Sequence, residues 1–233
     1  MALTLLLVRH GETTYNAEKR YQGQKDVPLS EVGQAQARQL ADRLAHVWKN
    51  TDGAFFVPPP VAVYASDLAR AHETAEIITQ TIEQKAALSL PIQKLPLLRE
   101  RHFGVWEGLT HVEIRAQYGK TEHAEGGETW DVVWARMNDA LAQIWDAHAQ
   151  QPTGDAAQKP PTVMIVGHGG SLRALVCRAL GVDAQQLRRF RLDNVSLTVL
   201  DFWGETLEAS EGRVAFLNDT AHLSHVAAAT TAF

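Results

Sequence analysis

The chain has one cysteine, Cys177, so it can form no internal disulfide. Cys177 lies in the apolar helical run Leu172 to Leu180, where a buried inert thiol is the expectation rather than a nucleophile. Long apolar stretches are missing too, and the first residues lack the basic region of a signal peptide. A soluble cytoplasmic protein with no membrane partner is expected. Positive charge is in short supply: 22 Lys and Arg against 27 Asp and Glu give a formal net charge of −5, which argues against a general nucleic-acid binder. An anionic substrate remains compatible with that balance, because a local cluster of arginines dominates at short range. Neither His-Glu-x-x-His nor a cysteine-based ligand pattern occurs, so the motifs of a metal site are lacking. No internal repeat and no domain linker is visible.

What is present is an ordinary globular composition, 45 % hydrophobic and 21 % charged over 233 residues. That length can bury a sizeable core. A single domain over 1–233 is expected, with a small insertion zone near 100–128. Strand and helix patterns alternate, which predicts an α/β three-layer sandwich with a mostly parallel central sheet flanked by helices. Leu3 to Val8, broken only by Thr4, has the pattern of a central strand. Further strands are expected over Val61–Tyr64, Pro91–Leu98, Thr162–Val166 and Val195–Phe202. Ser30 is a candidate cap for a helix with Ala37, Leu40, Ala41, Leu44 and Trp48 on one face. Ser66 or Asp67 is expected to cap a second, with Leu68, Ala71, Ala75 and Ile78 inward. The segment Arg99–Gly127 looks irregular, with a short helix near Val112–Tyr118. Trp130, Val133, Trp134, Met137, Leu141, Ile144 and Trp145 share a helical face; core packing explains that spacing better than an aromatic binding box. A helix over Ser171–Leu180 closes on Gly181. Gln151–Pro161 reads as a polar connector, and the Ala- and Thr-rich tail from Ala227 as loosely ordered.

Two histidines leave the ends of apolar strands into glycine turns: Arg9-His10-Gly11 and Gly167-His168-Gly169-Gly170. Ligands of open α/β sheets bind at the carboxyl ends of strands. Arginine suits phosphate or carboxylate, and histidine can act as base or nucleophile. The alternative for the first tripeptide alone is a surface pair in a tight turn; the repetition is hard to explain by packing. Arg70, at the start of a helix that follows a strand, would bring a guanidinium to the same edge, unless it is an ordinary exposed arginine. Glu100 follows an apolar strand and could donate a proton if burial or a nearby anion favours its neutral form; otherwise it pairs with Arg99 or Arg101. Asn16 and Gln22 are uncharged donors suited to phosphate oxygens, or turn residues. Two arginines and two histidines suit a tetrahedral dianion and repel a divalent cation, which disfavours a metal hydrolase built on the ten histidines.

Taken in order, Leu7-Val8-Arg9-His10-Gly11-Glu12-Thr13, Asn16, Gln22-Gly23, Pro28-Leu29-Ser30 with Gly33, Ser66-Asp67-Leu68 through Arg70-Ala71 and Thr74-Ala75, Leu98-Arg99-Glu100, Phe103-Gly104, Trp106-Glu107-Gly108 and Gly167-His168-Gly169-Gly170 resemble the histidine phosphatase superfamily, with its phosphoglycerate-mutase-like fold. The matching pieces span roughly residues 3 to 200. The resemblance implies that His10 is the nucleophile that forms a phosphohistidine. It implies that Arg9, Arg70 and His168 bind the phosphoryl group and that Glu100 protonates the leaving oxygen and then helps activate water. Thr13, Asn16, Gln22, Gly23, Arg101 and Gly169 would add substrate contacts, with no metal and no organic cofactor. Cofactor-dependent phosphoglycerate mutases are similar at Glu100-Arg101-His102-Phe103-Gly104, but Thr110-His111 stands where they carry an Asn-Lys pair. No Arg-Arg pair falls between His111 and Glu128. Phe103-Gly104-Val105-Trp106-Glu107-Gly108-Leu109-Thr110 is closer to the phosphatase branch, including α-ribazole phosphatase and the broad-specificity phosphatases. A phosphomonoesterase of small phosphorylated metabolites is therefore the leading expectation; the mutase is the alternative, and a non-catalytic phosphate-binding module a third. The intact His10, Glu100, Arg70 and His168 speak against the third. Arg101 and His102, with Tyr21, His111 and the Glu125–Glu128 segment, would shape the pocket mouth, either welcoming a second anion or facing solvent. A homodimer through a sheet edge is left open.

Overall fold

The computed structural model describes residues 1–49, 57–121, 123–150 and 159–223. The tail from 227 and residues 151–158 of the expected connector lie outside them. Six strands form one sheet: β1 (Ala2–Arg9), β2 (Ala62–Ala65), β3 (Ile92–Lys94), β4 (Thr162–Gly167), β5 (Leu197–Trp203) and β6 (Glu211–Asp219), in the order β3-β2-β4-β1-β5-β6. The pairs β1–β4, β2–β4 and β2–β3 are parallel; β1–β5 and β5–β6 are antiparallel.

Alternation along β1 makes the layers. Leu3, Leu5 and Leu7 point into a core shared with α5 (Trp130–His148) and α6 (Gly169–Leu180). Leu6 and Val8 point the other way, into a core shared with α2 (Glu31–Lys49) and α3 (Ala69–Ala86). A strand covered on both faces must be apolar at every position, which is why the run shows no polar alternation. Its one polar member, Thr4, is buried and donates to Asp201 Oδ1 on β5 at 2.8 Å. The expected helical stripes are the buried ones; Trp145 lies in the core, with Trp130 and Trp134 packed at its margin. A four-residue helix α1 (Thr14–Ala17) follows β1, and α4 (His111–Tyr118) sits in the otherwise irregular segment. Cys177 is free and buried.

Several expectations need correction. Ser30 does cap α2, accepting from Gly33 N at 3.1 Å, but neither Ser66 nor Asp67 caps α3. The residue at that cap is Leu68, without a side-chain bond, and Asp26 reaches over from another loop to accept from Ala69 N at 2.6 Å. Ser66 and Asp67 are occupied elsewhere: Ser66 by His168, and Asp67 by a two-pronged pair with Arg99 at 2.7 and 2.6 Å. The strand expected over Pro91–Leu98 is only Ile92–Lys94, then a 3₁₀ turn at Pro96–Leu98. β5 begins at Leu197 because Val195 takes a left-handed conformation (φ 55°). β6 was not expected. It is an edge strand, much of it exposed, so its side chains lack the clean alternation that marks a half-buried strand. No described helix is long and apolar enough to cross a membrane.

Candidate active site

The register of the parallel pair builds the site. Arg9 of β1 lies opposite Gly167 of β4, so His10 and His168 step off the sheet side by side. Their rings are 5.1 Å apart at an interplanar angle of 59°. On the other side of β4, Ala65 of β2 lies opposite Val166, which brings Ser66 to the same edge. Three neighbouring parallel strands thus deliver three polar side chains to one point, as expected at the carboxyl edge of such a sheet.

His10 is 3 % exposed. Its Nδ1 lies 2.7 Å from the Gly11 carbonyl, which requires a proton on Nδ1 and leaves Nε2 with the lone pair. Burial, with Arg70 and Arg9 nearby, holds its pKa well below the ordinary 6.5 although the Gly11 bond opposes this. The ring is neutral at physiological pH, with one nitrogen oriented by the Gly11 carbonyl and the other left with its lone pair. His168 is fully buried and its pKa is likewise depressed, first by burial and then by Arg70, His10 and Arg9. Its Nε2 sits 2.8 Å from Ser66 Oγ, while Nδ1 has no hydrogen-bond partner.

Arg70, the second residue of α3, is 1 % exposed rather than a surface residue. Its Nη1 and Nη2 donate to the carbonyls of Lys25 and Gly23 at 2.9 and 2.7 Å, and Nε is left without a partner. The Gly23 turn therefore aims the guanidinium. Gly23 has φ +56°, and a Cβ there would meet Glu107 Oε1 at 2.0 Å, so only glycine allows Glu107 to tie this turn down. Glu107 Oε1 accepts from Gln24 N at 2.9 Å and from Phe103 N at 3.0 Å, locking the two loops together. Arg9 donates from Nη1 to the Leu192 carbonyl at 2.6 Å. Burial lowers both Arg9 and Arg70 to about 10, helped for Arg9 by Arg173; both stay charged near neutrality.

Glu100 is neither a surface charge nor a partner of Arg99 or Arg101 through their guanidinium groups. Its carboxylate enters the start of α6, accepting from Gly170 N at 2.8 Å, Ser171 N at 3.2 Å and its neighbour Arg101 N at 2.8 Å. Gly170 makes room, since a Cβ there would lie 2.3 Å from Glu100 Oε1. Free helix N–H groups and the helix dipole favour an anion at this place. Glu100 is also the acid that faces Arg9, Arg70, Arg101 and Arg173 alike.

The remaining expected residues divide. Gln22 is buried with Oε1 unpartnered. Asn16 spends its Oδ1 on Thr13 N at 3.1 Å and on Asn194 Nδ2 at 3.3 Å, and Thr13 spends its hydroxyl capping α1. Gly169 opens α6 beside Arg9; a Cβ there would sit 3.5 Å from Arg9 Nε. Arg101 does not face solvent. It is 2 % exposed, donates from Nε to the Glu128 carbonyl at 2.7 Å, and lies 4.6 Å over Trp130 and 5.3 Å over Phe103. Trp130, expected as core, is therefore also a wall of this region.

Sequence reasoning missed four contributors. Asn194 holds the His10 carbonyl through Nδ2 at 2.9 Å. Thr74 accepts from Gly11 N at 3.0 Å and donates to the Arg70 carbonyl at 2.6 Å, coupling α3 to the His10 turn. Ser66, expected as a cap and as part of the matching Ser66-Asp67-Leu68 run, had no role assigned at the site; it meets His168 Nε2 at 2.8 Å. Arg173 stands five residues after His168, one helical turn beyond Gly169, whose carbonyl takes its Nε at 2.8 Å; that spacing was the available signal. Among the described residues no three His, Cys, Asp or Glu side chains gather as a metal ion would require.

The mostly parallel sheet and its paired histidines form a sheet-edge site whose buried arginines suit an anion. A family model, histidine phosphatase superfamily (branch 1), matches residues 5–212, and the chain belongs to that family. It is a histidine phosphatase. A metal-independent phosphoserine phosphatase of Arabidopsis thaliana is 34 % identical over 95 % of this chain and 84 % of its own length. A probable phosphoglycerate mutase, GpmB, of Yersinia pestis (strain Pestoides F) is 35 % identical over 95 % of each chain. A mycobacterial glucosyl-3-phosphoglycerate phosphatase solved with VO3 superposes with a TM-score of 0.75 at 30 % identity, covering 92 % of this chain and 98 % of that one.

Proposed function

We propose that the protein is a metal-independent phosphomonoesterase that hydrolyses small phosphorylated metabolites through a phosphohistidine on His10. One observation carries this reading: His10 is held as a buried neutral imidazole with Nδ1 tied to the Gly11 carbonyl and Nε2 free, amid two buried guanidinium groups and a second buried histidine. Nε2 attacks phosphorus and the P–O bond to the alcohol breaks. Arg9, Arg70 and His168 stabilise charge on the equatorial oxygens. Arg70 Nε and His168 Nδ1 are buried donors without a protein partner. Such groups cost about 1–3 kcal/mol each when left unsatisfied, and a bound phosphoryl group would satisfy them. With the Ser66 hydroxyl donating to Nε2, His168 carries its proton on Nδ1.

Glu100 takes up a proton when the phosphoryl dianion binds beside it, passes that proton to the leaving alcohol oxygen, then takes one from the water that attacks the phosphohistidine; phosphate leaves and His10 is restored. Asn16 Nδ2, Gln22 and the Gly169 amide add donors to the phosphoryl oxygens. The cations do the work a divalent metal would do, and would repel one.

The test is inorganic phosphate release from a panel of phosphomonoesters in EDTA, with 3-phosphoglycerate included and its isomer followed in parallel. Release without metal is expected. A second reading, phosphoglycerate mutase, is favoured by the likeness to the probable mutase of Yersinia pestis over 95 % of both chains. Formation of 2-phosphoglycerate faster than phosphate release would select it.

A further inference from the structure

Between the 3₁₀ turn that ends at Leu98 and the one that begins at Gly104, the backbone that carries Glu100 pairs with no strand and joins no helix. Its carbonyls must still find donors, because buried backbone groups are rarely left unpaired. They find them on side chains. Arg136 of α5 donates from Nη1 to the carbonyls of Leu97 and Arg99, both at 2.7 Å, and from Nη2 to that of Glu100 at 3.4 Å. Gln24 Nε2 adds a bond to the Glu100 carbonyl at 3.2 Å, and the Ser171 hydroxyl reaches the Leu98 carbonyl at 3.3 Å. Four consecutive carbonyls are thus held by side chains, and one guanidinium serves three of them.

Glu128, the residue before the Thr129 cap of α5, completes the clamp. Its carboxylate accepts from Arg136, Nε to Oε1 at 3.3 Å and Nη2 to Oε2 at 3.1 Å, and from His102 N at 2.8 Å. Its carbonyl takes Arg101 Nε at 2.7 Å, and its N–H donates to the His102 carbonyl at 2.9 Å. A guanidinium has five N–H donors, and Arg136 meets five acceptor atoms. Arg70 is the opposite case, with its Nε left open. Arg136 therefore has no donor to spare for a substrate and acts on the protein alone. Its own base is firm, because Val133 and Met137 on either side of it along α5 lie in the core. The Arg136 and Glu128 side chains are 15 % and 20 % exposed, so water competes little for their bonds.

We propose that Arg136, paired with Glu128, is a positioning residue for proton transfer: it ties the backbone of residues 97–100 to α5 so that the Glu100 carboxyl meets the leaving oxygen. This rests on the phosphatase reading above, with Glu100 as its acid. Two helices then fix that acid from opposite ends. The start of α6 holds the carboxylate through Gly170 N and Ser171 N, and α5 holds the main chain through Arg136. Support of this kind from rigid elements keeps a reacting group within the narrow geometry it needs, and a misplacement of about 1 Å can cost about 10²-fold in rate.

The test compares kcat/KM, which reads the steps up to loss of the alcohol, on glycerol phosphate and on p-nitrophenyl phosphate. Wild type, Arg136→Gln, Glu100→Gln and the double variant are measured side by side. Arg136→Gln should lower kcat/KM on glycerol phosphate about 10²-fold, and the ratio of the alkyl to the aryl ester should fall about ten-fold or more, because a phenolate leaves with less protonation. In the Glu100→Gln background that alkyl-specific loss should vanish, since the group being positioned is gone. A merely structural role would lower both esters together, or would add its full loss to that of Glu100→Gln; either result overturns the proposal. Arg136→Lys keeps the charge but not the five-donor fork. It should shift the ratio in the same direction by less, and it carries the test if Arg136→Gln does not fold; a wild-type ratio in Arg136→Lys overturns the proposal. Any of these failures, with p-nitrophenyl phosphate still hydrolysed by wild type, leaves the phosphatase reading intact. Phosphate release from neither ester by wild type overturns both.

Discussion

The inner end of the site and its outer end are held in place by different structure. At the inner end Arg9, His10, His168 and Ser66 stand at the ends of adjacent parallel strands, and Arg70 is aimed by two backbone carbonyls. Every one of these side chains is 9 % exposed or less. At the outer end Tyr21 and Arg101 come from irregular loops between the regular elements. A rigid sheet edge suits groups that must meet a transition state within fractions of an ångström. A loop-borne end tolerates change, and there substrate choice can vary without disturbing the chemistry.

The sharpest break of that comparison is His10→Ala. It should lower kcat about 10⁴-fold or more while leaving circular dichroism and the unfolding midpoint near wild type. Arg70→Gln should follow, with a loss of about 10²–10³-fold in kcat on all substrates alike, neutral or charged. A loss confined to charged esters would place Arg70 at the wrong end of the site. Glu100→Gln should lower turnover of alkyl phosphates about 10²-fold or more but spare aryl phosphates, whose phenolate leaves with less protonation. Equal losses on both would remove the proton-transfer role and leave Glu100 as an anchor for α6. Comparing leaving groups within one variant cancels any general damage from the amide facing three N–H donors.

A smaller effect concerns stability. The folded pKa values of His10 and His168 lie well below the unfolded value of about 6.5, so below pH 6.5 the unfolded chain binds more protons. Stability should be full above pH 6.5 and fall as pH drops from there towards the folded values, by up to about 1.4 kcal/mol per pH unit per histidine. His222, pushed down to about 4 mainly by burial, adds to the same slope. Denaturant midpoints between pH 7.5 and 5 check this. A flat profile, or an imidazole signal of His10 titrating near 6.5, would contradict the buried neutral pair.

The same contrast decides what could be read in advance. Strands β1 and β4 and helices α2, α5 and α6 announce themselves because burial on known faces imposes a strict apolar pattern, and a histidine breaking that pattern at a strand end stands out. Glu100 and Arg70 were recognisable by order and neighbours, but not their anchoring: nothing local to Arg70 shows that Gly23 and Lys25, more than forty residues earlier, will hold it. The cap of α3 went wrong for a like reason. Ser66 and Asp67 have the right chemistry at the right place, yet His168 and Arg99 take them, and Asp26 supplies the cap from a distance. β6 was invisible because an exposed edge strand carries little burial signal.

The most direct test of the account is to trap the enzyme during turnover. Wild-type protein mixed with a reactive phosphomonoester in EDTA, quenched in milliseconds under basic conditions and mapped by mass spectrometry, should carry a phosphoryl group on the peptide containing His10. That group should be labile to acid, as a phosphoramidate is, and absent from His10→Ala. Rapid turnover with no modified peptide, or a modification elsewhere that persists in His10→Ala, would contradict a nucleophilic His10.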